Sequence, residues 1–309
     1  MSRLRAGMTG VLAAALVLTG CGSGAERDAL RRGDEAWARG DLEEALAEYR
    51  LAQGLEGGPT TELRLAHAYA TLGRVDEAGD HYRNAVESDA SLADQAAADL
   101  LRLADRAEED RDRYASAAAA ELAMNVQPQV GIGRLALPLA RYYVDNGEFD
   151  RALPFFQRAI NTLPPDEAGQ VLFEIGRAYE RVGECGQALT YLERFRRVAS
   201  RRDRAEVNWL IGSCSFELGQ RLARAGRSSE ALGYIDRTIA LGEPQSVLAQ
   251  AHFEKAEILA RAGNCRAAIE AFTQVLRQDA SGSGPLIPRA EQRIDELKFG
   301  RPDGDGKGC

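Results

Sequence analysis

The sequence predicts an all-α protein made of repeated pairs of helices. The main observation is a recurring motif: a glycine, four residues, an alanine, three more residues and an aromatic residue. It occurs at Gly40-Ala45-Tyr49, Gly73-Ala78-Tyr82, Gly147-Ala152-Phe156 and Gly263-Ala268-Phe272, and with leucine in third place at Gly183-Ala188-Leu192. A small residue stands seven positions before each glycine, at Gly33, Ala66, Ala140, Gly176 and Ala256. A proline or an Asp-Ala step ends most units, at Pro59, Asp89-Ala90, Pro164 and Asp279-Ala280.

Helix packing explains this pattern. Small residues let two antiparallel helices approach closely, and the glycine between them ends the first helix in a left-handed turn. The motif resembles the tetratricopeptide repeat, a helix pair of about 34 residues, over residues 27–280. The resemblance implies a right-handed α-solenoid of about seven helix pairs.

The first 20 residues are typical of a signal peptide. Arg3 and Arg5 precede an uncharged stretch that ends at Leu18, which is too short to span a bilayer of roughly 30 Å. The segment Leu18-Thr19-Gly20-Cys21 resembles the lipobox of bacterial lipoproteins. This resemblance implies cleavage between Gly20 and Cys21, and lipidation of Cys21 with a diacylglyceryl thioether and an N-acyl chain. The alternatives are an ordinary signal peptide with a chance cysteine, or an uncut membrane anchor.

Residues 21–26 are then expected to form a short lipidated tether. Gly22, where an aspartate could stand, favours the outer membrane, facing the periplasm, if the envelope is Gram-negative.

Two units depart from the motif. Residues 91–128 have the length of a helix pair but lack the glycine, which indicates a degenerate repeat. In the other unit, Ala231 follows Gly212 with seven additional residues between them. Because seven residues make two helical turns, we expect an extended helix over residues 205–226 with a projecting tip from Leu222 to Gly226.

The C-terminal segment is predicted to close the repeats. Within residues 281–299, Ala290, Ile294 and Leu297 share one helix face, as expected of the capping helix that a solenoid needs at its end. Residues 300–309 form a glycine-rich tail with no predicted secondary structure.

Charge limits the class of partner. The 309-residue chain has a formal net charge of −8, and removal of residues 1–20, which contain two arginines and no acidic residue, changes it to −10. Such acidity argues against nucleic acid as a partner. The acidic residues are spread along the chain, and no block of like charge is long enough to suggest a tail.

Cysteine usage agrees with export. Four cysteines follow Cys21, which allows three pairings and invites disulfides in an oxidising compartment. In tetratricopeptide geometry, we expect Cys185 to bond with Cys214 between adjacent repeats and Cys265 to bond with Cys309. A zinc site is the alternative, but no Cys-x-x-Cys pair is present.

No catalytic constellation is evident. His67, His81 and His252 fall in different repeats, and the carboxylates are spaced like solvated helix faces. We therefore predict no catalytic residue, no metal and no cofactor.

The first helices of a tetratricopeptide solenoid line its concave groove, which predicts a binding surface. Residues three before and one after each small residue are expected to face it, and aromatic and arginine side chains there would suit binding hot spots. The proposed groove residues are Arg141, Phe173, Arg177, Arg181, Trp209 and Phe253. We expect an extended peptide or a partner helix there; alternatively, the row packs as ordinary core.

Three functions fit these features. The first is a membrane-anchored, extracytoplasmic scaffold that binds proteins in a cell-envelope assembly or export machine. The second is a module that binds a small molecule or peptide for a transporter. The third is a subunit or enzyme of cell-wall or polysaccharide metabolism.

Overall fold

The computed structural model describes residues 22–278 and 284–300, where all regular secondary structure is helical. The predicted all-α fold of tetratricopeptide-type helix pairs with a C-terminal helix is confirmed. Besides two short 3-10 helices, these residues form α1 (Gly22–Arg39), α2 (Leu42–Leu55), α3 (Pro59–Thr71), α4 (Val75–Ser88), α5 (Ala93–Glu109), α6 (Arg113–Val126), α7 (Ala136–Asp145), α8 (Phe149–Ile160), α9 (Pro165–Arg181), α10 (Cys185–Val198), α11 (Asp203–Arg224), α12 (Ser228–Leu241), α13 (Gln245–Arg261), α14 (Cys265–Gln278) and α15 (Ile287–Phe299).

The chain divides after Leu135 into two compact units. The described part of the first unit contains the pairs α1–α2, α3–α4 and α5–α6. That of the second contains the pairs α7–α8, α9–α10, α11–α12 and α13–α14, followed by α15. Neighbouring helices within each unit bury mainly alanines and a few large side chains, among them Leu65, Tyr82, Phe156 and Phe272.

A small residue brings the two helices of a pair into contact. A Cβ atom added to Gly176 of α9 would lie 2.6 Å from the Leu192 side chain of α10. Likewise, a Cβ atom added to Gly219 of α11 would lie 2.7 Å from Cγ1 of Ile235 in α12. Such distances leave no room for a larger residue, so these glycines fix how the helices align.

The contact of Gly219 corrects the predicted alignment of α11. Gly219 lies seven residues before Gly226, which has a φ of 75° and ends the helix. Gly219 is therefore the small residue of this repeat, and Gly212 is not. Helices α9 and α13 begin eleven residues before their small residues, whereas Asp203 begins α11 sixteen residues before Gly219. The additional length thus lies at the N-terminal end of α11.

The predicted projecting tip at Leu222 to Gly226 is consequently wrong. Leu222 and Ala223 pack against a cluster that contains Phe216, Ala231 and Ile235. They occupy the ordinary last turn of a first helix, because Gly226 closes α11 where Gly183 closes α9.

Arg111 replaces the turn glycine in the degenerate repeat. Helices α5 and α6 form the predicted pair, and Arg111 between them has a φ of 65°. It takes the left-handed conformation that glycines adopt in the turns within the other helix pairs, with φ between 72° at Gly73 and 84° at Gly40. A residue with a Cβ atom is strained in this conformation.

Residues 22–26, predicted as a tether, lie in the first turns of α1. Ala25 and Glu26 favour helix, and Oε1 of Glu26 accepts a hydrogen bond of 2.9 Å from the buried Thr61 hydroxyl. The helical fold therefore starts directly after Cys21 in the sequence. Cys21 and the predicted signal peptide at residues 1–20 lie outside the described residues.

Helix α15 covers the last repeat. Ala290 and Ile294 are buried, and together with Leu297 they pack on the cluster of Phe253 and Phe272. This is the apolar face expected of a capping helix. The predicted tail lies outside the described residues from residue 301 onward. No helix within the described ranges is long and apolar enough to cross a membrane.

We predict that Arg111→Gly stabilises the protein. Glycine adopts the left-handed turn without strain, so the free energy of unfolding should rise by about 0.5–1 kcal/mol. Arg113→Gly is a matched control, because this exposed arginine begins α6, where glycine lowers stability. Urea unfolding followed by circular dichroism measures both. A loss of stability in Arg111→Gly as large as that in Arg113→Gly would contradict a strained turn.

Candidate functional site

The two phenylalanines of the predicted groove are core residues. Phe173 is 7% exposed and its ring lies 5.0 Å from that of Phe195. Phe253 is 6% exposed and its ring lies 5.3 Å from that of Phe272. Positions three residues apart share a helix face, so a residue three before the small residue also points into the helix pair. The prediction that these rings face a partner is therefore wrong.

Polar residues one position after the small residue link consecutive first helices. Arg141 of α7 donates two hydrogen bonds of 3.0 Å to the carboxylate of Glu174 in α9. The same positions in other repeats give three further links: Asp34 with Arg64, Gln220 with Glu254, and Glu257 with Arg293. Arg141 already has a carboxylate partner, so it does not offer the free donor that the predicted groove requires.

The remaining groove candidates are exposed. The guanidinium of Arg177 lies 5.7 Å from the ring centroid of Phe173, and that of Arg181 lies 5.9 Å from the ring centroid of Phe149. Trp209 is 45% exposed. It lies near the N-terminal end of α11, seven residues before Phe216, the residue that corresponds to Phe173 once Gly219 is the small residue. The six candidates thus do not form one row of similar positions.

The second unit contains a basic pocket that the predicted groove does not include. Its cavity has a volume of about 460 Å³. The end of α10, the first turns of α11 and the middle of α12 surround it. We call it the arginine pocket; its lining residues are Glu193, Arg196, Arg197, Arg204, Asn208 and Arg237.

The N-terminal part of α11, from Asp203 to Gly212, forms one wall of the arginine pocket. It contains both Arg204 and Asn208. The buried hydroxyl of Thr238 in α12 donates a hydrogen bond of 3.0 Å to the carbonyl oxygen of Gly212. A Cβ atom on Gly212 would overlap the carbonyl oxygen of Glu243, in the loop before α13. Helix α12 and this loop therefore hold the N-terminal part of α11 in place.

The charges of the arginine pocket are mostly positive. Arg237 forms an ion pair with Glu193 across α12 and α10. Nε of Arg204 donates a hydrogen bond of 3.4 Å to the carbonyl oxygen of Ala199. This acceptor carries no negative charge, so the contact does not neutralise the guanidinium of Arg204. Arg196 and Arg197 are exposed, and neither bonds to a carboxylate within the described part of the chain.

The sequence contains a signal for this site. Six arginines stand between residues 194 and 204 of a chain with a net charge of −8. This basic run is internal and too short to be a charged tail, but it marks one side of the pocket. Arg237 gives no such signal, because it joins the pocket only through the packing of α12 on α11 and its ion pair with Glu193 of α10.

The predicted Cys185–Cys214 disulfide is not formed in the structure, where both residues are buried free thiols. Interaction with the Cys214 thiol and burial raise the pKa of Cys185. The Cys185 thiol also donates a hydrogen bond of 3.4 Å to Oε2 of Glu217. Cys265 is disulfide-bonded, and its predicted partner Cys309 lies outside the described residues.

The histidines lie in separate environments. Nδ1 of His81 is 2.7 Å from Oε2 of Glu62. Burial lowers the pKa of His67 and that of His252, with further lowering from Arg102 near His67 and from Lys255 near His252. Within residues 22–278 and 284–300, no three metal-ligating side chains form a group that could hold a metal ion.

Family models identify the repeats. Two models, both described as tetratricopeptide repeat, match the chain: one over residues 173–225 and 216–285, the other over residues 63–92. The chain therefore contains tetratricopeptide repeats, and the match over residues 216–285 includes the turn at Gly226 between α11 and α12. A comparison with curated proteins finds no significant match.

Several solved structures are similar at low identity. The C-terminal part of a TPR repeat-containing protein from Cytophaga hutchinsonii is 16% identical, with coverage of 84% of this chain and 98% of that chain and a TM-score of 0.37. Pseudomonas aeruginosa pilF is 15% identical, with coverage of 88% of this chain and 98% of that chain and a TM-score of 0.31. YrrB, described as a TPR protein with an unusual peptide-binding site, is 17% identical, with coverage of 68% of this chain and 97% of that chain and a TM-score of 0.32.

We predict that Phe253→Ala destabilises the protein far more than Trp209→Ala. Removal of the buried ring of Phe253 leaves a cavity and should cost about 3–5 kcal/mol. Trp209 is nearly half exposed, so its removal should cost under about 1 kcal/mol. Urea unfolding of both variants gives the comparison. An equal loss of unfolding free energy in the two variants would contradict the assignment of Phe253 to the core and Trp209 to the surface.

Proposed function

We propose that this protein is a lipid-anchored scaffold outside the cytoplasm, which binds protein partners in a cell-envelope assembly or export machine. The observation that carries the proposal is the combination of two segments: the lipobox-like sequence Leu18-Thr19-Gly20-Cys21 and the tetratricopeptide repeats that follow it. The first supplies a lipid anchor, and the second supplies surfaces that bind proteins or peptides. The protein then acts by binding and not by catalysis.

The position of α1 supports a short connection to the membrane. Since α1 begins at Gly22, a lipid on Cys21 would be joined to the helical fold with almost no intervening chain. Several acyl chains, at roughly 0.8 kcal/mol for each buried methylene, hold a protein on a bilayer almost permanently. The first repeat would therefore stay close to the membrane surface.

A disulfide at Cys265 fits a location outside the cytoplasm. Cys265 is disulfide-bonded, and oxidising compartments favour such bonds.

We predict that Cys21→Ala abolishes membrane anchoring without changing the fold. The wild-type protein should require detergent for extraction from membranes, and mass spectrometry should find diacylglyceryl and acyl groups on its N-terminal cysteine. Cys21→Ala should lack these groups while its circular dichroism spectrum stays helical. Cys309→Ala is the matched control and should be lipidated like the wild type. A wild-type protein without lipid on Cys21 would disprove the anchored scaffold.

Partner capture tests the scaffold half of the proposal separately. Crosslinking in intact cells, followed by mass spectrometry, should recover envelope proteins with the wild type and fewer with Cys21→Ala. Recovery of no protein partner by the lipidated wild type would contradict a scaffold role.

A further inference from the structure

The arginine pocket concentrates positive charge on an acidic protein. Arg196, Arg197 and Arg204 come from the basic run at residues 194–204, and Arg237 comes from α12. The chain as a whole carries a formal net charge of −8. A concave site of the opposite sign attracts and orients an anionic ligand more strongly than isolated surface charges do.

We propose that the arginine pocket binds an acidic peptide segment of a partner protein, one that carries at least two neighbouring carboxylates. This inference rests on the proposed scaffold function and identifies the chemistry by which one partner is recognised. Arginine guanidinium groups bind carboxylates through paired hydrogen bonds, which give direction as well as affinity.

The ion pair inside the pocket shows how a carboxylate fits there. The Glu193 carboxylate of α10 already binds the guanidinium of Arg237 in α12. Exposed Arg196 and Arg197 stand within four residues of Glu193 on the same helix, and Arg204 faces them from α11. Carboxylates of a partner segment would place negative charge beside these three guanidinium groups, which no described carboxylate neutralises.

An adjoining cavity extends the site and favours a peptide over a single small anion. It has a volume of about 350 Å³ and shares Glu193, Arg197 and Arg237 with the arginine pocket. Its lining also includes Arg194 and Tyr234, and the ring of Tyr234 offers apolar contact. A ligand that spans both cavities needs several carboxylates and an apolar side chain, as a peptide can provide.

Two other polyanions fit less well. A bilayer surface is flat and makes poor contact with charges inside a concavity between three helices. Nucleic acid is a long polyanion, and it would meet the negative charge of the remaining chain. Both alternatives can be distinguished from a peptide by the choice of probe.

The test measures binding of a defined probe to the full-length protein in a non-ionic detergent. The probe is a fluorescently labelled peptide with four glutamates and one leucine, and its counterpart has glutamines in place of the glutamates. Fluorescence anisotropy gives the affinity for the wild type, for Arg197→Gln/Arg204→Gln and for Arg201→Gln/Arg202→Gln. The last variant is the matched control, because it removes two exposed arginines of the same run that do not line the pocket.

We expect the glutamate peptide to bind the wild type at low salt and to bind more weakly as salt increases, since charges are then screened. Arg197→Gln/Arg204→Gln should weaken binding at least tenfold, and the control variant at most twofold. The glutamine peptide should not bind. Circular dichroism checks that both variants keep the helical fold.

Three outcomes would overturn the inference. The first is equal weakening by the two double variants, because binding would then depend on net charge and not on the pocket. The second is binding of glycerol 3-phosphate or a short oligonucleotide with an affinity that the glutamate peptide does not reach. The third is no binding of the glutamate peptide to the folded wild type. Lipidation and partner capture do not enter this measurement, so its failure leaves the anchored scaffold untouched.

Discussion

Close contact of two helices at a small residue is the constraint on which each helix pair of this protein depends. Gly176 leaves no space for a side chain against Leu192, and Gly219 leaves none against Ile235. Because the contact admits only one alignment, it also fixes which residues meet between repeats. The polar links of consecutive first helices, such as Arg141 with Glu174, occur at a constant distance from the small residue. Individually these exposed links contribute little, typically about 0–1 kcal/mol each, so their role is to keep neighbouring repeats in register.

The same constraint explains why the sixth repeat has a pocket. Gly219 and Gly226 fix the C-terminal end of α11 in the ordinary place, so the additional residues lengthen its N-terminal end. The hydrogen bond from Thr238 to Gly212 and the contact of Gly212 with the loop at Glu243 hold the N-terminal part of α11, Asp203 to Gly212, against α12. Arg204 is thereby placed opposite Arg196 and Arg197 of α10. The regular contacts of the repeat thus fix the position of α11, and its lengthened N-terminal end contributes to the arginine pocket.

The helix pairs were predictable because the motif consists of the residues that form the contact between the two helices: a small residue, a turn glycine and a large side chain. The motif misplaced α11 because Gly212 and Gly219 are the same residue type, and because Ile235 stands where an aromatic residue marks other copies. Burial of Phe173 and Phe253 was not predictable from periodicity, since the first helix of a repeat has neighbours on more than one side. The arginine run is visible in the sequence, but its arrangement into a pocket depends on Arg237, more than thirty residues away in the chain. Cys21 lies outside the described residues, so its lipidation remains a prediction from the sequence.

Hydrogen–deuterium exchange along α11 tests most directly whether the fold holds the N-terminal part of this helix. Thr238 and the loop at Glu243 contact Gly212 in the N-terminal part of α11. If these contacts hold the helix, amides from Val207 to Gly212 should exchange as slowly as those around Gly219, which packs against Ile235 within the helix pair. Fast exchange from Val207 to Gly212, on the timescale of frayed helix ends, would contradict the alignment described for α11 and with it the wall of the arginine pocket.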